Sequence, residues 1–480
     1  MIKDKKLAEF LKGSSILVVA NVILKSINFF LLPLYTKYLD PVELGISDLI
    51  TTFTAFLFPL LVMGMDSAFS AFFYDEKDED YQGKVFNTVW FTVFIPSCIP
   101  LILILLSNYI SMGIFGSEEY KLLISIALTS VTINIWYLPF SLLLRMQNKM
   151  AAFGTINIIA SLIMIGLNVL FLAGLRLSTY SLIASTLIAH IAQLILYVCV
   201  TKVKLSPEKI DNHLRKSMLK FALPLLPTVI SAWVLNMSDR FIIKMFIGED
   251  AVGIYGIAAR FSGVLAIVSS AVYTAYSAFA FNKKDDPDAS NQFKRVLNGF
   301  FFLLFGVCFT ASLFGKEIVL IMTNQKYAAS YFILPGILFG QLAYGVNTIT
   351  SYGISFAKKT VYALISTSLG AITSVVLNLI FIPIFGLVSA GHINFISYAL
   401  MCVLGYIFAQ KVYPCDYGIV RIYSTSLIGY FLLMLFLEIQ FIFKIVVLIV
   451  LIFLGCVLYR DVITDFYSLF KLAKNNSKQT

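Results

Sequence analysis

Charge is what this sequence has least of. Only 13% of its 480 residues are Asp, Glu, Lys or Arg, and just three are histidine. A soluble globular chain carries about a quarter charged residues, which clothe its core in polar surface. Here 59% of positions are hydrophobic and the mean hydropathy is +0.88, so lipid must solvate much of the chain. Period-two alternation is missing too. The apolar runs are long and continuous, which excludes a closed β-barrel.

Other absences narrow the function. There is no phosphate-binding glycine loop, no HExxH and no nucleophile elbow. No outer loop exceeds about fifteen residues, which leaves no room for a catalytic platform, and no nucleotide-binding domain follows the spans. The chain therefore reads as a transporter rather than an enzyme, with no cofactor and no bound metal. Its six cysteines (Cys98, Cys199, Cys308, Cys402, Cys415 and Cys456) form neither metal-ligand spacing nor a disulfide framework, and read as packing residues. The net charge of +10 comes from cytoplasmic loops and not from a nucleic-acid partner.

What the chain does have is apolar runs of spanning length. They fall near 13–35, 45–71, 85–107, 121–144, 151–173 and 179–201 in the first half. After a polar break come 221–247, 253–281, 296–314, 329–356, 361–382 and 391–410, then a final pair near 422–439 and 444–459. With both termini cytoplasmic, about 26 Lys and Arg fall in inside loops and about 6 outside. An odd number of spans would split the basic clusters between the two sides, so an even count of about fourteen fits. The basic N-terminus MIKDKK leads into the first run, which reads as an uncleaved span in a cytoplasmic (inner) membrane protein.

The halves resemble each other at an offset of about 208–210 residues. ELGI, from Glu43, falls over AVGI, from Ala251, and Phe53 falls over Phe261. Asn168 falls over Asn378, and the basic turn at Lys149 over the one at Lys359. An offset of six spans preserves orientation. The expected architecture is all-α, with two parallel six-helix lobes around a central cavity plus two C-terminal helices. The domain expectation is an N-terminal lobe at 1–201, a cytoplasmic link at 202–220, a C-terminal lobe at 221–410 and a C-terminal segment at 411–480.

Charges inside spans are costly and mark candidate sites. Lys25 lies mid-span in the first run, where it either contacts an anionic substrate or forms an ion pair, with Asp48 as a candidate partner. Arg240 and Lys244 share one helical face of the seventh run, and Arg260 lies about two turns into the eighth. These three are either substrate cations or interfacial anchors. Asp239 is placed to neutralise a neighbour, and Asp66 to cap or gate its helix. His190 and His392 read as packing or hydrogen-bonding residues. Gly336, Gly340 and Gly345 invite close helix contact. Prolines at Pro59, Pro96, Pro100, Pro139, Pro224, Pro227 and Pro335 mark bends. Asn28, Asn236 and Gln341 add scattered polarity but no readable sugar code.

The stretch FLLPLYTKYLDPVELGISDLITTFTAFLFPLLVMGMDSAF resembles the start of the polysaccharide transporters in the multidrug/oligosaccharidyl-lipid/polysaccharide (MOP) exporter superfamily. SDRFIIKMFIGEDAVGIYGIAARF, from Ser238 to Phe261, resembles the start of their second lobe. The resemblance implies an O-antigen (Wzx-type) flippase that moves polyprenyl-diphosphate-linked oligosaccharides between leaflets by alternating access. It implies lipid partners, polymerase and chain-length partners of a polysaccharide pathway, and cations at Lys25, Arg240, Lys244 and Arg260 that receive the diphosphate. The alternatives are a cation-coupled multidrug exporter of the same superfamily, a membrane-embedded glycan polymerase or ligase, and a structural membrane protein.

Overall fold

The computed structural model describes residues 29–76, 78–462 and 464. Among the described residues helices are the only regular elements, and thirteen are long and apolar enough to cross a membrane. They correspond one to one with the expected spans from the second onward. The first expected span lies mostly outside the described residues.

The chain divides into two compact units, Met1–Gly256 and Ile257–Thr480. The first contains α1 (Leu32–Tyr38), α2 (Pro41–Val62), α3 (Met65–Phe72), α4 (Glu79–Leu103), α5 (Ser107–Phe115) and α6 (Lys121–Met146). It continues with α7 (Met150–Val169), α8 (Tyr180–Thr201), α9 (Asn212–Ala222) and α10 (Leu226–Phe246). The next helix, α11 (Glu249–Lys283), carries the unit boundary. The second unit adds α12 (Ala289–Leu313), α13 (Gly315–Met322), α14 (Ser330–Thr350), α15 (Tyr352–Phe356), α16 (Thr360–Phe385), α17 (Leu387–Val412), α18 (Ile419–Phe436) and α19 (Phe441–Leu458).

The repeat seen in sequence reappears in the helix starts. Pro41 pairs with Glu249, Glu79 with Ala289, Ser107 with Gly315, Lys121 with Ser330, and Met150 with Thr360. Each pair keeps the spacing of about 208–210 residues at which the sequence halves overlay.

In the first unit α2 packs on α6 and α10, while α6 packs on α4 and α8. The core is apolar: Met65, Phe69, Val85, Phe86, Phe140 and Leu144 are all fully buried. The amphipathic α9 presses Leu214, Met218 and Ala222 into that same core. Its N-cap Asp211 accepts from the His213 and Leu214 amides at 2.8 and 3.0 Å. Those bonds favour the ionised form and hold the carboxyl below the ordinary carboxylate range.

Helix α2 begins on a capping box. Asp40 accepts from the Glu43 amide and Glu43 accepts from the Asp40 amide, both at 2.9 Å, with Pro41 in the first turn. The expected span 45–71 is interrupted. Met63 and Gly64 both take left-handed backbone, at φ 53 and 71, ending α2 and starting α3. The break thus falls a turn after Pro59, at a position where glycine carries positive φ without a Cβ penalty.

In the second unit α14 and α17 approach backbone to backbone. A Cβ at Gly336 would strike the Gly391 carbonyl, and one at Gly340 would strike the Asn394 side-chain oxygen. A Cβ at Gly345 would crowd Phe300 and Leu304 of α12, the nearest atom at 2.9 Å. All three glycines expected to permit close contact do so.

Candidate functional site

The charged residues of α10 are organised by the start of α11. Pro224 shapes the short turn Leu223–Leu225 that leads into α10, and Gly248, at φ 144, reverses the chain after it. That reversal lays the first two turns of α11 beside the end of α10.

Asp239 is 3% exposed in a span, so its charge needs compensation. It accepts a hydrogen bond from the Tyr255 hydroxyl and another from the Arg240 amide at 2.9 Å. The Arg240 guanidinium reaches Asp239 at 3.3 Å, donates to the Asn236 carbonyl at 3.1 Å, and lies 5.6 Å from the centre of the Tyr255 ring. One turn on, Lys244 forms an ion pair with Glu249. Arg240 and Lys244 therefore share one face, as their spacing implies, and both meet α11. Each comes with its own carboxylate, and Asp239 is the neutralising neighbour of Arg240.

The other expected positions are spread along the chain. Lys25 lies outside the described residues, and with it any Lys25–Asp48 pair. Asp48 is half-buried in the second turn of α2, where its carbonyl accepts from Thr52 at 2.7 Å. Asp66 is exposed in the first turn of α3. Arg260 lies half-buried on α11 in the second unit.

Both span histidines bond to neutral partners. His190 Nδ1 lies 2.8 Å from Ser130 Oγ, and His392 Nδ1 lies 2.5 Å from the Tyr430 hydroxyl. Beside His190, Gln193 donates to Asn157 at 3.0 Å and Asn157 to the Tyr197 hydroxyl at 3.1 Å.

Three participants escape a reading of the sequence. Tyr255 and Glu249 become partners only through the turn at Gly248, although Glu249 lies five positions after Lys244. Lys444 falls in the short link between the last two expected spans. In the structure it is 1% exposed, and its ammonium bonds both oxygens of Glu317 at 2.9 Å. Among the described residues no group of His, Cys, Asp and Glu is placed to hold a metal ion.

A family described as polysaccharide biosynthesis protein matches residues 35–331. No curated protein sequence matches the chain. Among solved structures, the fold is similar to that of the lipid II flippase MurJ in an inward closed conformation. That likeness has TM-score 0.67 and 18% identity, covering 96% of this chain and 99% of that one. It is equally similar, at TM-score 0.67 and 13% identity, to an inward-facing multidrug resistance MATE family transporter of the MOP superfamily. There 85% of this chain and 99% of that chain are covered. An outward-facing MATE family transporter follows at TM-score 0.56 and 14% identity, covering 87% and 96%. At these identities the likeness establishes the fold: a multi-pass helical membrane protein of the MOP type.

Proposed function

Since the chain belongs to the polysaccharide biosynthesis protein family, we propose that it flips polyprenyl-diphosphate-linked oligosaccharide units from the cytoplasmic to the outer leaflet. The product serves O-antigen, capsule or related polysaccharide synthesis. The observation that carries this reading is the pair of cations one turn apart on α10, each with its own carboxylate.

Such an arrangement suits a transporter that must return empty. A bare cation inside a span is costly, so Arg240 and Lys244 are held in ion pairs when no anion is present. A diphosphate arriving between them exchanges with Asp239 and Glu249 as counter-ion. Two cations answer its charge better than one, and guanidinium offers a planar fork for phosphate oxygens. Lys25 and Arg260 add further cations along the path. In this reading no covalent bond is made or broken.

In this reading the lobes, 1–201 and 221–410, move by alternating access, and the cytoplasmic link 202–220 joins them. The segment 411–480 adds α18 and α19. Both termini lie in the cytoplasm, the protein resides in the inner membrane, and a polymerase and chain-length regulator take the product onward.

The test is mass spectrometry of polyprenyl-diphosphate-linked glycans before and after depletion of this protein. The expected result is accumulation of one complete repeat unit still protected inside the cell. An unchanged lipid-linked pool with unchanged surface polymer overturns the reading and favours a cation-coupled drug exporter.

A further inference from the structure

The second unit carries a polar face within its spans. On α11, Ser270, Tyr273 and Thr274 are exposed, with Tyr273 at 45%. On α14, Gln341, Tyr344 and Thr348 follow at three and four residues, hence on one face, with Tyr344 exposed by 41%. The two faces adjoin. The Tyr273 ring lies 6.1 Å from that of Tyr352, which follows α14. The positions of these rings are fixed from behind. Tyr352 donates to Ser277 at 2.5 Å, and Tyr344 stands edge-on to Tyr398 at 6.0 Å.

Lipid is the wrong neighbour for such a face. Thr274 and Thr348 donate to the Ser270 and Gly345 carbonyls at 2.8 and 2.6 Å, so the outward polarity is that of the exposed Tyr273 and Tyr344 hydroxyls, for which hydrocarbon offers no partner and water or a polar ligand does. The chain itself supplies the contrast. On α19, Ile442, Phe443, Ile449, Ile452 and Phe453 are exposed, and the one charged residue, Lys444, is buried. A lipid-facing helix in this protein is built of hydrocarbon. The face at Tyr273 and Tyr344 is not.

Its chemistry is also specific. From Ala251 to Asn282 on α11, and throughout α14, there is no Asp or Glu, so a cationic drug finds no counter-ion. The cations of α11 nearest the face are Lys283, nine residues after Thr274, and Arg260, ten before Ser270, each on the order of 14–15 Å away along the axis. What remains is neutral: two exposed tyrosine rings with their hydroxyls. Flat rings beside neutral donors and acceptors suit a pyranose, whose C–H face stacks on an aromatic ring while its hydroxyls bond at the rim.

We infer that the glycan of the lipid-linked substrate binds the α11/α14 face of the second unit through Tyr273 and Tyr344. This inference rests on the flippase reading.

The test compares two probes on the full chain in lipid nanodiscs. One is polyprenyl diphosphate without sugar, and the other is the glycan-bearing lipid fraction extracted from the protein's own host cells. Tyr273→Ala and Tyr344→Ala are expected to weaken the glycan-bearing probe about tenfold each, while the bare diphosphate binds as in wild type. Tyr273→Phe and Tyr344→Phe keep the rings and most of the affinity. Unchanged binding of the glycan-bearing probe by both Ala variants overturns the inference and leaves the flippase reading standing. Loss of both probes by the Ala variants also overturns it, because the face would not then be specific to sugar. Failure of the wild type to bind either probe instead removes the flippase reading itself.

Discussion

Gly45 and Gly253 each occupy the space where the other's side chain would be. A Cβ on Gly45 would land on the Glu249 carbonyl, 3.0 Å from the Gly253 amide. A Cβ on Gly253 would land on the Pro41 carbonyl, 3.1 Å from the Gly45 amide. The relationship is reciprocal, because Pro41 is to Gly45 what Glu249 is to Gly253. These are the glycines of ELGI and AVGI, the segments at which the halves of the sequence overlay. Two copies of one motif therefore meet as a self-complementary pair, in the way symmetric interfaces do. Glu43 is anchored nearby, accepting from the Ser178 hydroxyl and, through its carbonyl, from Thr179 at 3.2 Å.

A side chain at either glycine must push α2 and α11 apart. Gly45→Val is expected to lower thermal stability by about 1–3 kcal/mol, as overpacking does in close-fitted interiors. Gly253→Ala should act the same way through the mirrored contact. Because the two substitutions break one contact, the double variant should lose less than the sum of the singles. Melting of the purified protein in detergent checks this. A Gly45→Val variant that melts with wild type removes the contact from any stabilising role.

The buried pair on α10 separates stability from transport. Asp239→Asn removes the carboxylate that pairs with Arg240 in the span and is expected to cost about 3–5 kcal/mol. Replacing both, as Asp239→Asn with Arg240→Met, removes both charges and should restore most of the melting temperature. Transport should remain lost in the double variant, because the cation is gone. Export of lipid-linked glycan at wild-type rate in that variant would reduce the pair to scaffolding.

Much of this was legible because a bilayer imposes length and polarity on every span. The apolar runs located thirteen helices, and the six-span offset reappears in helix starts such as Met150 and Thr360. Small-residue spacing located Gly336 and Gly340 at a backbone contact. What escaped was tertiary. Nothing local announces that Tyr255 reaches Asp239, because the turn at Gly248 brings them together. Lys444 looked like a loop residue because its partner, Glu317, lies 127 positions away. The polar face at Tyr273 and Tyr344 was equally hidden. Tyrosine in a span is ordinary, and only exposure separates an open face from a packed one.

Lys444 and Glu317 differ in burial, and that asymmetry orders their variants. The lysine is 1% exposed and the glutamate side chain 28%, so the ammonium depends more on the pair. Glu317→Gln strands a buried cation and is expected to cost about 3–5 kcal/mol. Lys444→Met leaves a carboxylate that reaches water, fills the apolar volume, and should cost less. The double variant should recover toward wild type. Equal losses for the two singles would contradict the burial difference on which the ordering rests.

The loop after α17 supplies a pH-dependent contact whose sign is fixed. Asp416 accepts from Lys294 at 2.6 Å and from the Gly418 amide at 3.0 Å, and the lysine holds its carboxyl below the ordinary carboxylate range. A depressed carboxyl stabilises the fold above its unfolded pKa of about 3.9, and that contribution fades as pH falls through the lower folded value. Asp416 is largely exposed, so solvent and salt screen the pair to no more than about 0.2–1 kcal/mol. Asp416→Asn keeps an oxygen for the Gly418 amide and removes only the charge. Its melting temperature should sit slightly below wild type at pH 7, and the gap should narrow below about pH 4 and shrink in high salt. A gap that persists unchanged in acid or in salt would assign the effect to shape rather than charge.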